Sequence, residues 1–482
     1  MAGIISYGAY IPFARMEREV FYKFWGGFAM PGERAVACFD EDSLTMAMES
    51  AIDCMQGTDP KTVDGLFFAT TTSPYKQRLC SSIMAVALDM RQDIRTMDIT
   101  GSLRAGTTAI AAALDAIKAG SVRRTLVATG ETIMGEPGSI YEQAFGDGGA
   151  ALLLGDKGVI ASIEGSYCIS DDFAGTWRAD GDKFLRTWED RMVLDRGYSD
   201  ILPQAISGLM KKYNLAPSDI SKIVYDAPHD LRRHSAVAST LRFEASRVQD
   251  PMFLNVGNTG CSLAMMMLVA ALEEAKAGDK IIFASYGNGA DAFLLQVTPE
   301  IERVRDRRGI KNHLASKRMI DNYATYMKWR KLVALESRGA GFHATTSISV
   351  QRREHKVILG LWGVKCKVCG TPQYNVDNAA GGTTPARICV KCQAKDQFED
   401  YKFAGRRAKI FSFTQDNLAD HPDPPLTIAV VDFDGGGRAL FEMTDRDPEK
   451  VAVGIPTELA FRKVSFEGGV PNYFWKARTI RC

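Results

Sequence analysis

An internal repeat over about the first 300 residues constrains the fold of this chain more than any other feature of its sequence. Ala111 to Gly120 (AAALDAIKAG) resembles Val269 to Gly278 (VAALEEAKAG), and each segment follows a turn of small residues. Each is also followed by two apolar runs with the composition of buried strands. Two copies of strand, turn, buried helix and two further strands predict two similar α/β halves, packed about a pseudo-twofold axis.

The composition is that of an ordinary globular protein with several domains. The chain has 482 residues, of which 46% are hydrophobic and 24% charged, and its net charge is +1. This balance gives no reason to expect a nucleic-acid partner. No signal peptide is recognisable at the start, and the longest apolar stretch, Leu263 to Leu272, is too short to span a membrane. Ten cysteines without a secretory signal indicate a reducing compartment, so we expect a cytoplasmic protein with no membrane partner.

Four cysteines in two C-x-x-C pairs predict a structural zinc site. The pairs are Cys366 with Cys369 and Cys389 with Cys392, and their spacing is typical of a zinc ribbon. Gly370 follows the first pair, where the turn often requires a positive φ. A site closed by four thiolates has no open coordination position, so this zinc is expected to hold structure and not to take part in the reaction.

The change of sequence character along the chain predicts the domain organisation. A basic segment interleaved with aromatic residues follows the repeat. It could bind the phosphates of a nucleotide-bearing cofactor. We favour the alternative that it forms solvated linker helices. Short strands separated by Gly- and Pro-rich turns then predict a small β-barrel. The predicted divisions are two α/β halves (1–165 and 166–300), basic linker helices (301–335), a zinc ribbon with a leading segment (336–400) and a barrel (401–482).

Four motifs in the repeat resemble those of a known superfamily. They are EDSLTMAMESA from Glu41, FGDGGAALLLG from Phe145, GNTGCS from Gly257 and SYGNGADAF from Ser285. In this order they resemble the thiolase superfamily, above all its 3-hydroxy-3-methylglutaryl-CoA synthase branch. The C-terminal part resembles the zinc-ribbon/OB-fold proteins that partner thiolase-like enzymes and help to bind acyl-CoA. The resemblance implies a duplicated thiolase-like αβαβα sandwich, followed by a rubredoxin-like zinc ribbon and an OB-fold barrel.

The resemblance also assigns the family's catalytic positions, and three of four are substituted. The nucleophilic cysteine falls on Leu103, or on Ser102 if the register shifts by one residue. The family's glutamate acid/base falls on Thr71, and its histidine falls on Asp226. The asparagine of the GNT motif is retained as Asn258. Since leucine cannot be acylated, an acyl-enzyme intermediate is not expected.

Our leading hypothesis for the function is therefore an acyl-CoA aldolase or lyase, which needs no cysteine. Such a reaction requires donors aimed at the enolate oxygen and a base that moves the β-hydroxyl proton. We take Asp226 as the base, His229 and Asn258 as the proton carrier and donor, and Tyr286 as a further phenol donor. Coenzyme A enters as part of the substrate, and the resemblance implies a homodimer.

Two other functions remain open. The first is a synthase-like condensing acyltransferase whose nucleophile has moved to Cys261 or Ser102. The second is a non-catalytic acyl-CoA-binding scaffold subunit of a thiolase-type complex, in which several catalytic positions would be lost together. We favour a structural role for both Cys261 and Cys80, because a buried free cysteine behaves as a small hydrophobe.

Overall fold

The structure is a computed structural model that describes residues 2–173, 175–335, 348–374, 387–467 and 470–481. It divides into two compact units. The N-terminal unit comprises residues 1–37, 42–81 and 91–323, and the C-terminal unit comprises residues 38–41, 82–90 and 324–482. Residues 336–347, at the start of the predicted ribbon domain, and residues 375–386, between its two cysteine pairs, lie outside the described residues.

Strands and helices alternate through the repeat as the sequence predicts. Strands β1 to β14 are, in chain order, Gly3–Tyr10, Ala14–Glu17, Glu33–Val36, Gly65–Ala69, Arg95–Ile99, Arg124–Glu131, Gly148–Gly155, Ala161–Ser170, Thr176–Trp177, Arg186–Thr187, Lys222–Tyr225, Lys280–Tyr286, Gly289–Val297 and Arg318–Met319. Helices α1 to α11 are Arg18–Trp25, Ser43–Cys54, Cys80–Ala87, Ala105–Lys118, Ile140–Ala144, Asp190–Met192, Ser199–Lys212, Leu231–Thr240, Leu263–Glu274, Gly309–Ala315 and Tyr323–Trp329. A π-helix, Val193–Tyr198, joins α6 to α7.

Four strands of each half pair in the same way, which explains the sequence repeat; the first half has one further strand, β5, beside β4. In the first half β4 and β6 are parallel, and β6, β7 and β1 pair antiparallel in that order. In the second half β11 and β12 are parallel, and β12, β13 and β8 follow in the same antiparallel order. A two-residue pairing of β1 with β8 joins the halves into one nine-stranded sheet, of order β11-β12-β13-β8-β1-β7-β6-β4-β5.

The repeated segments form two buried helices, α4 and α9, which share one hydrophobic core. Of the twelve residues of α9, nine are buried, as its nearly uniform apolar sequence predicts. This helix packs against strands of both halves, β1 and β7 as well as β11 and β12. Gly106 of α4 allows the close approach, because a Cβ there would lie 3.0 Å from the carbonyl oxygen of Cys261 and from the sulfur of Met265.

The C-terminal unit contains a three-stranded ribbon sheet and a five-stranded barrel sheet. In the barrel sheet β20, β19, β18, β21 and β22 pair in that order, and a bridge between Met443 and Ala477 links its two ends, as in a closed barrel. The strands β15 to β22 are Trp362–Cys366, Pro372–Gln373, Phe398–Lys402, Ala408–Asp416, Leu426–Phe433, Arg438–Glu442, Pro456–Glu467 and Val470–Thr479, and the helices α12 and α13 are Ile348–Arg353 and His355–Ile358.

The predicted fold class agrees with this architecture, a thiolase-like α/β region followed by an OB fold. The finer domain boundaries remain predictions; the predicted linker helices of residues 301–335 are divided between the units after Tyr323. None of the helices in the described ranges is both long enough and apolar enough to cross a membrane.

Candidate active site

A cavity of about 300 Å³ opens where parallel strands of both halves end. Thr71 follows β4, Asp226 follows β11 and Tyr286 ends β12, so the polar lining comes from the carboxyl ends of three strands. Open α/β sheets bind their ligands at this edge. Most of the remaining wall is apolar, with Leu103, Ile133, Phe145, Phe173, Trp177, Leu185, Val193 and Leu194 among its residues.

The position assigned to the family's nucleophile lies in the cavity wall. Leu103 stands in the turn directly before α4, as the resemblance implies, and it offers only an aliphatic side chain to a ligand. The neighbouring hydroxyl of Ser102 also lines the cavity, but it donates a hydrogen bond of 2.8 Å to the carbonyl oxygen of Gly287. No base that would activate this serine is bonded to it in the described structure.

Cys261 and Cys80 both lie in surroundings that disfavour a reactive thiolate. The Cys261 thiol is buried and lies 3.7 Å from the carbonyl oxygen of Ala69. Burial, and next the carboxylate of Glu131, raise the pKa of Cys261 well above its usual value. Burial likewise raises the pKa of Cys80 to about 12. Because the thiolate is the nucleophilic form, neither residue has the environment of a catalytic cysteine.

Asp226 has the character of a proton-transfer group. Its carboxyl group lines the cavity, and its Oδ1 accepts a hydrogen bond of 2.9 Å from the backbone N–H of Tyr286. Burial raises the pKa of Asp226 to about 7, although this hydrogen bond acts in the opposite direction. A carboxyl group that titrates near neutral pH can both accept and return a proton during turnover.

His229 is held by a carboxylate and a phenol. Its Nε2 lies 3.0 Å from Oδ2 of Asp190, and the hydroxyl of Tyr141 donates a 2.6 Å hydrogen bond to the other oxygen of Asp190. The ring of Tyr141 also packs edge-on against the imidazole, with centroids 5.2 Å apart. His229 and Tyr141 both line the cavity, so this arrangement fixes the orientation of an imidazole at its wall.

Asn258 and Tyr286 complete the set of predicted residues. One N–H of the Asn258 side chain donates to the carbonyl oxygen of Ala227 at 3.0 Å, and its Oδ1 accepts from the N–H of Gly260 at 2.8 Å. A primary amide has two donor hydrogens, and within the described ranges only one of those of Asn258 is bonded, so the second can serve a ligand. Tyr286 lines the cavity, and burial raises its pKa to about 12, so its phenol is a neutral donor.

The structure brings all four predicted catalytic residues to one cavity. Sequence reasoning missed four further residues: Tyr141 and Arg178 line the cavity, while Asp190 and Glu131 are hydrogen-bonded to lining residues. Of these, Glu131 had a signal in the sequence, because it is an ionisable residue close behind the apolar run of β6. Its carboxylate accepts hydrogen bonds from the backbone N–H of Thr71 at 2.9 Å and from the Thr71 hydroxyl at 3.0 Å.

The four cysteines of the C-terminal unit form a cluster suited to a metal ion. Their sulfur atoms all lie within 4.8 Å of one another. Two pairs of sulfurs, Cys366 with Cys392 and Cys369 with Cys389, are 3.6 and 3.5 Å apart. Tetrahedral zinc with Zn–S bonds of about 2.3 Å requires sulfurs about 3.8 Å apart, so the geometry fits this metal. Gly370 has a φ of +73°, which confirms the turn predicted after the first pair.

Comparison with known proteins gives consistent results for both parts of the chain. A family model described as the C-terminal OB-fold domain of ChsH2 matches residues 401–462. The hydroxymethylglutaryl-CoA synthase of Pyrobaculum arsenaticum is 32% identical over 348 residues, which cover 69% of this chain and 99% of the relative. The synthase of Methanopyrus kandleri is 31% identical over 341 residues, covering 68% of this chain and 97% of the relative.

Solved structures agree on the fold. PksG, an HMG-CoA synthase from Bacillus subtilis, superposes with a TM-score of 0.61 at 17% identity, over 70% of this chain and 91% of its own. The names of these relatives favour the condensing-enzyme alternative over the aldolase or lyase hypothesis. The chain belongs to the hydroxymethylglutaryl-CoA synthase family of the thiolase superfamily, and it carries an OB-fold domain at its C-terminal end.

Proposed function

We propose that this protein forms or breaks the carbon–carbon bond next to the thioester of an acyl-CoA by aldol chemistry, without an acyl-enzyme. In the synthetic direction this reaction is a condensation, in keeping with the names of the relatives. In the reverse direction it is the cleavage of a β-hydroxyacyl-CoA into an acyl-CoA and an aldehyde or ketone.

One observation supports the proposal above all others. Leu103 occupies the cavity wall at the position of the family's nucleophile, while polar residues suited to enolate chemistry surround the same cavity. An aldol step requires stabilisation of the enolate oxygen and transfer of protons, and neither needs a thiol. Asn258 and His229 provide donors for the thioester oxygen, with Tyr286 as a further phenol. Asp226 transfers a proton, since its pKa is about 7.

The second candidate is a condensing acyltransferase with a relocated nucleophile. Family membership favours it, because the named relatives are synthases. The surroundings of its two possible nucleophiles argue against it. Cys261 is buried with a raised pKa, and the hydroxyl of Ser102 is bonded to a backbone carbonyl.

Incubation with a panel of β-hydroxyacyl-CoAs separates these candidates. We expect release of an aldehyde or ketone, detected by mass spectrometry, while the mass of the intact protein stays unchanged. The Cys261→Ala variant serves as the control and should retain this activity, because the aldol reaction does not use the thiol. An acyl adduct on Cys261 or Ser102 would establish the acyltransferase instead. A protein that turns over none of these substrates would be the non-catalytic scaffold.

We also propose that the four-cysteine cluster binds one structural zinc ion. The support is the clustering of the four sulfurs within 4.8 Å of one another and the all-thiolate donor set, which is typical of closed structural sites. Bound there, zinc would join the segment around Cys366 and Cys369 to the segment around Cys389 and Cys392. The cytoplasmic location and the absence of a nucleic-acid partner stay predictions.

A homodimer is expected from the resemblance to thiolase-like proteins, whose halves pair through their central sheets. Light scattering at micromolar concentration should give twice the mass of one chain, 52.9 kDa. A monomeric mass under these conditions would contradict this expectation.

A further inference from the structure

Four hydrogen-bond donors from Thr70, Thr71 and Thr72 converge on the fully buried carboxylate of Glu131. Thr71 provides two of them, its backbone N–H and its hydroxyl, both directed to Oε2. The hydroxyls of Thr70, at 3.3 Å, and of Thr72 lie against Oε1. Glu131 is 0% exposed, and a carboxylate buried to this extent is very costly unless donors compensate it. An ionised carboxylate has acceptors only, so the four donors match its charged form.

Thr71 connects this carboxylate to the cavity. The threonine lines the cavity, whereas Glu131 lies behind it at the end of β6. A hydroxyl has one proton and two lone pairs, so Thr71 can donate a hydrogen bond to Glu131 and still accept one from a hydroxyl group of a ligand. Arg178 also lines the cavity, donates to the Thr71 carbonyl oxygen and places Nη2 3.5 Å from the Thr71 hydroxyl. Its positive charge would stabilise negative charge that develops on that oxygen.

An aldol reaction moves two protons, and Asp226 in the cavity wall and Glu131 behind it are two carboxyl groups that can move them. In cleavage, one proton leaves the β-oxygen and another joins the α-carbon. In condensation, both transfers run in reverse. Asp226 lines the cavity directly, while Glu131 reaches it through a hydroxyl. A chain of hydroxyl groups carries protons between oxygen atoms, so the route through Thr71 suits the β-oxygen. Asp226 lines the cavity itself, so its carboxyl group suits direct proton transfer to and from the α-carbon.

We propose that Thr71 and Glu131 form a proton relay for the β-oxygen of the substrate; this inference rests on the proposed function. In cleavage, the β-hydroxyl proton passes to the Thr71 oxygen as the Thr71 proton passes to Glu131. The electrons of the O–H bond form the new carbonyl bond, and those of the bond between the α- and β-carbons form the enolate. Protonated Asp226 then donates its proton to the α-carbon, which yields the acyl-CoA. After the products leave, Glu131 returns its proton through Thr71 to solvent and Asp226 takes one up from solvent, so both groups recover their starting states. Thr71 is thus a catalytic residue and Glu131 acts through it.

The relay is tested by two reactions of the full-length protein, measured side by side. The first is cleavage of a β-hydroxyacyl-CoA from the panel above. The second is exchange of the α-hydrogens of the matching acyl-CoA with deuterated water, which needs Asp226 but no β-oxygen. Glu131→Gln and Thr71→Val are expected to slow cleavage by about a hundredfold or more and to retain exchange. Thr71→Ser keeps the hydroxyl and should restore most of the cleavage activity.

The outcomes separate the relay from the proposed function. If Glu131→Gln and Thr71→Val cleave as fast as the parent, the relay is wrong while the aldol function stands. If both variants lose exchange together with cleavage, Glu131 merely holds the Thr70–Thr72 turn in place, and the relay is again wrong. If the parent protein shows neither reaction, the proposed function itself fails and the relay fails with it.

Discussion

Replacing Asp226 by asparagine is expected to lower the exchange of acyl-CoA α-hydrogens with solvent by about a hundredfold or more, because a positioned proton-transfer group typically contributes that much. The amide is nearly isosteric with the carboxyl group but cannot accept and return a proton at neutral pH. Mass spectrometry of the acyl-CoA after incubation in deuterated water measures this rate. An Asp226→Asn variant that exchanges at the parental rate would remove Asp226 from the mechanism.

The pH dependence provides a second test of the same residue. Exchange requires the Asp226 carboxylate, whose pKa is about 7, so the parental rate should rise with pH below that value and level off above it. The free energy of unfolding should fall over the pH range in which the exchange rate rises. The pKa of Asp226 is raised from its usual 3.8 to about 7. Between these two pH values the folded state therefore keeps a proton on Asp226 that the unfolded state has lost. Stability therefore falls as pH rises from about 4 to about 7.

Asparagine does not titrate, so the Asp226→Asn variant should not lose stability from this site as the pH rises. The variant therefore provides a control for folding. Its free energy of unfolding should match that of the parent more closely near pH 4 and exceed it above pH 7. Denaturant unfolding at both pH values measures the difference. A variant that loses exchange but gains stability above pH 7 has lost a proton-transfer group and not its fold. A variant destabilised at every pH would show that the carboxyl group is needed for structure.

Removing zinc from the four-cysteine cluster is expected to unfold the ribbon, because apparent zinc-binding energies of about 10–16 kcal/mol in small zinc domains are also folding energies. Cys366, Cys369, Cys389 and Cys392 should hold one zinc ion per chain, as measured by elemental analysis. A strong chelator, or the Cys369→Ser substitution, should remove the metal and lower the midpoint of the thermal transition of the C-terminal unit.

Cys168 offers a matched control for this substitution. It is an exposed free cysteine in β8 of the N-terminal unit and belongs to no cluster in the described residues. Cys168→Ser should keep both the zinc content and the thermal transition of the parent. Protein purified without chelators that contains no zinc would refute the site, as would a Cys369→Ser variant with parental zinc content.

The sequence by itself determined the repeated architecture of this protein. The similarity of the segments from Ala111 and from Val269 reflects a local requirement, since the buried positions of both helices tolerate only small or apolar residues. The spacing of the four cysteines is likewise a local property, because each pair and its turn form within a few residues. The assignment of Leu103 and Asp226 to catalytic positions came from the resemblance of short motifs, in their order along the chain, to those of a known superfamily.

Only the tertiary structure decided which residues act together and how they titrate. Thr71 and Glu131 are 60 positions apart, and His229 and Asp190 are 39 apart, so no local pattern announces either contact. Each pair meets because the folded chain brings distant segments to one end of the sheet. The pKa of Asp226 depends on how much water that fold leaves around the carboxyl group, and the inertness of Cys261 depends on the depth at which α9 begins. Desolvation is a property of the assembled core, and a sequence specifies it only through the complete fold.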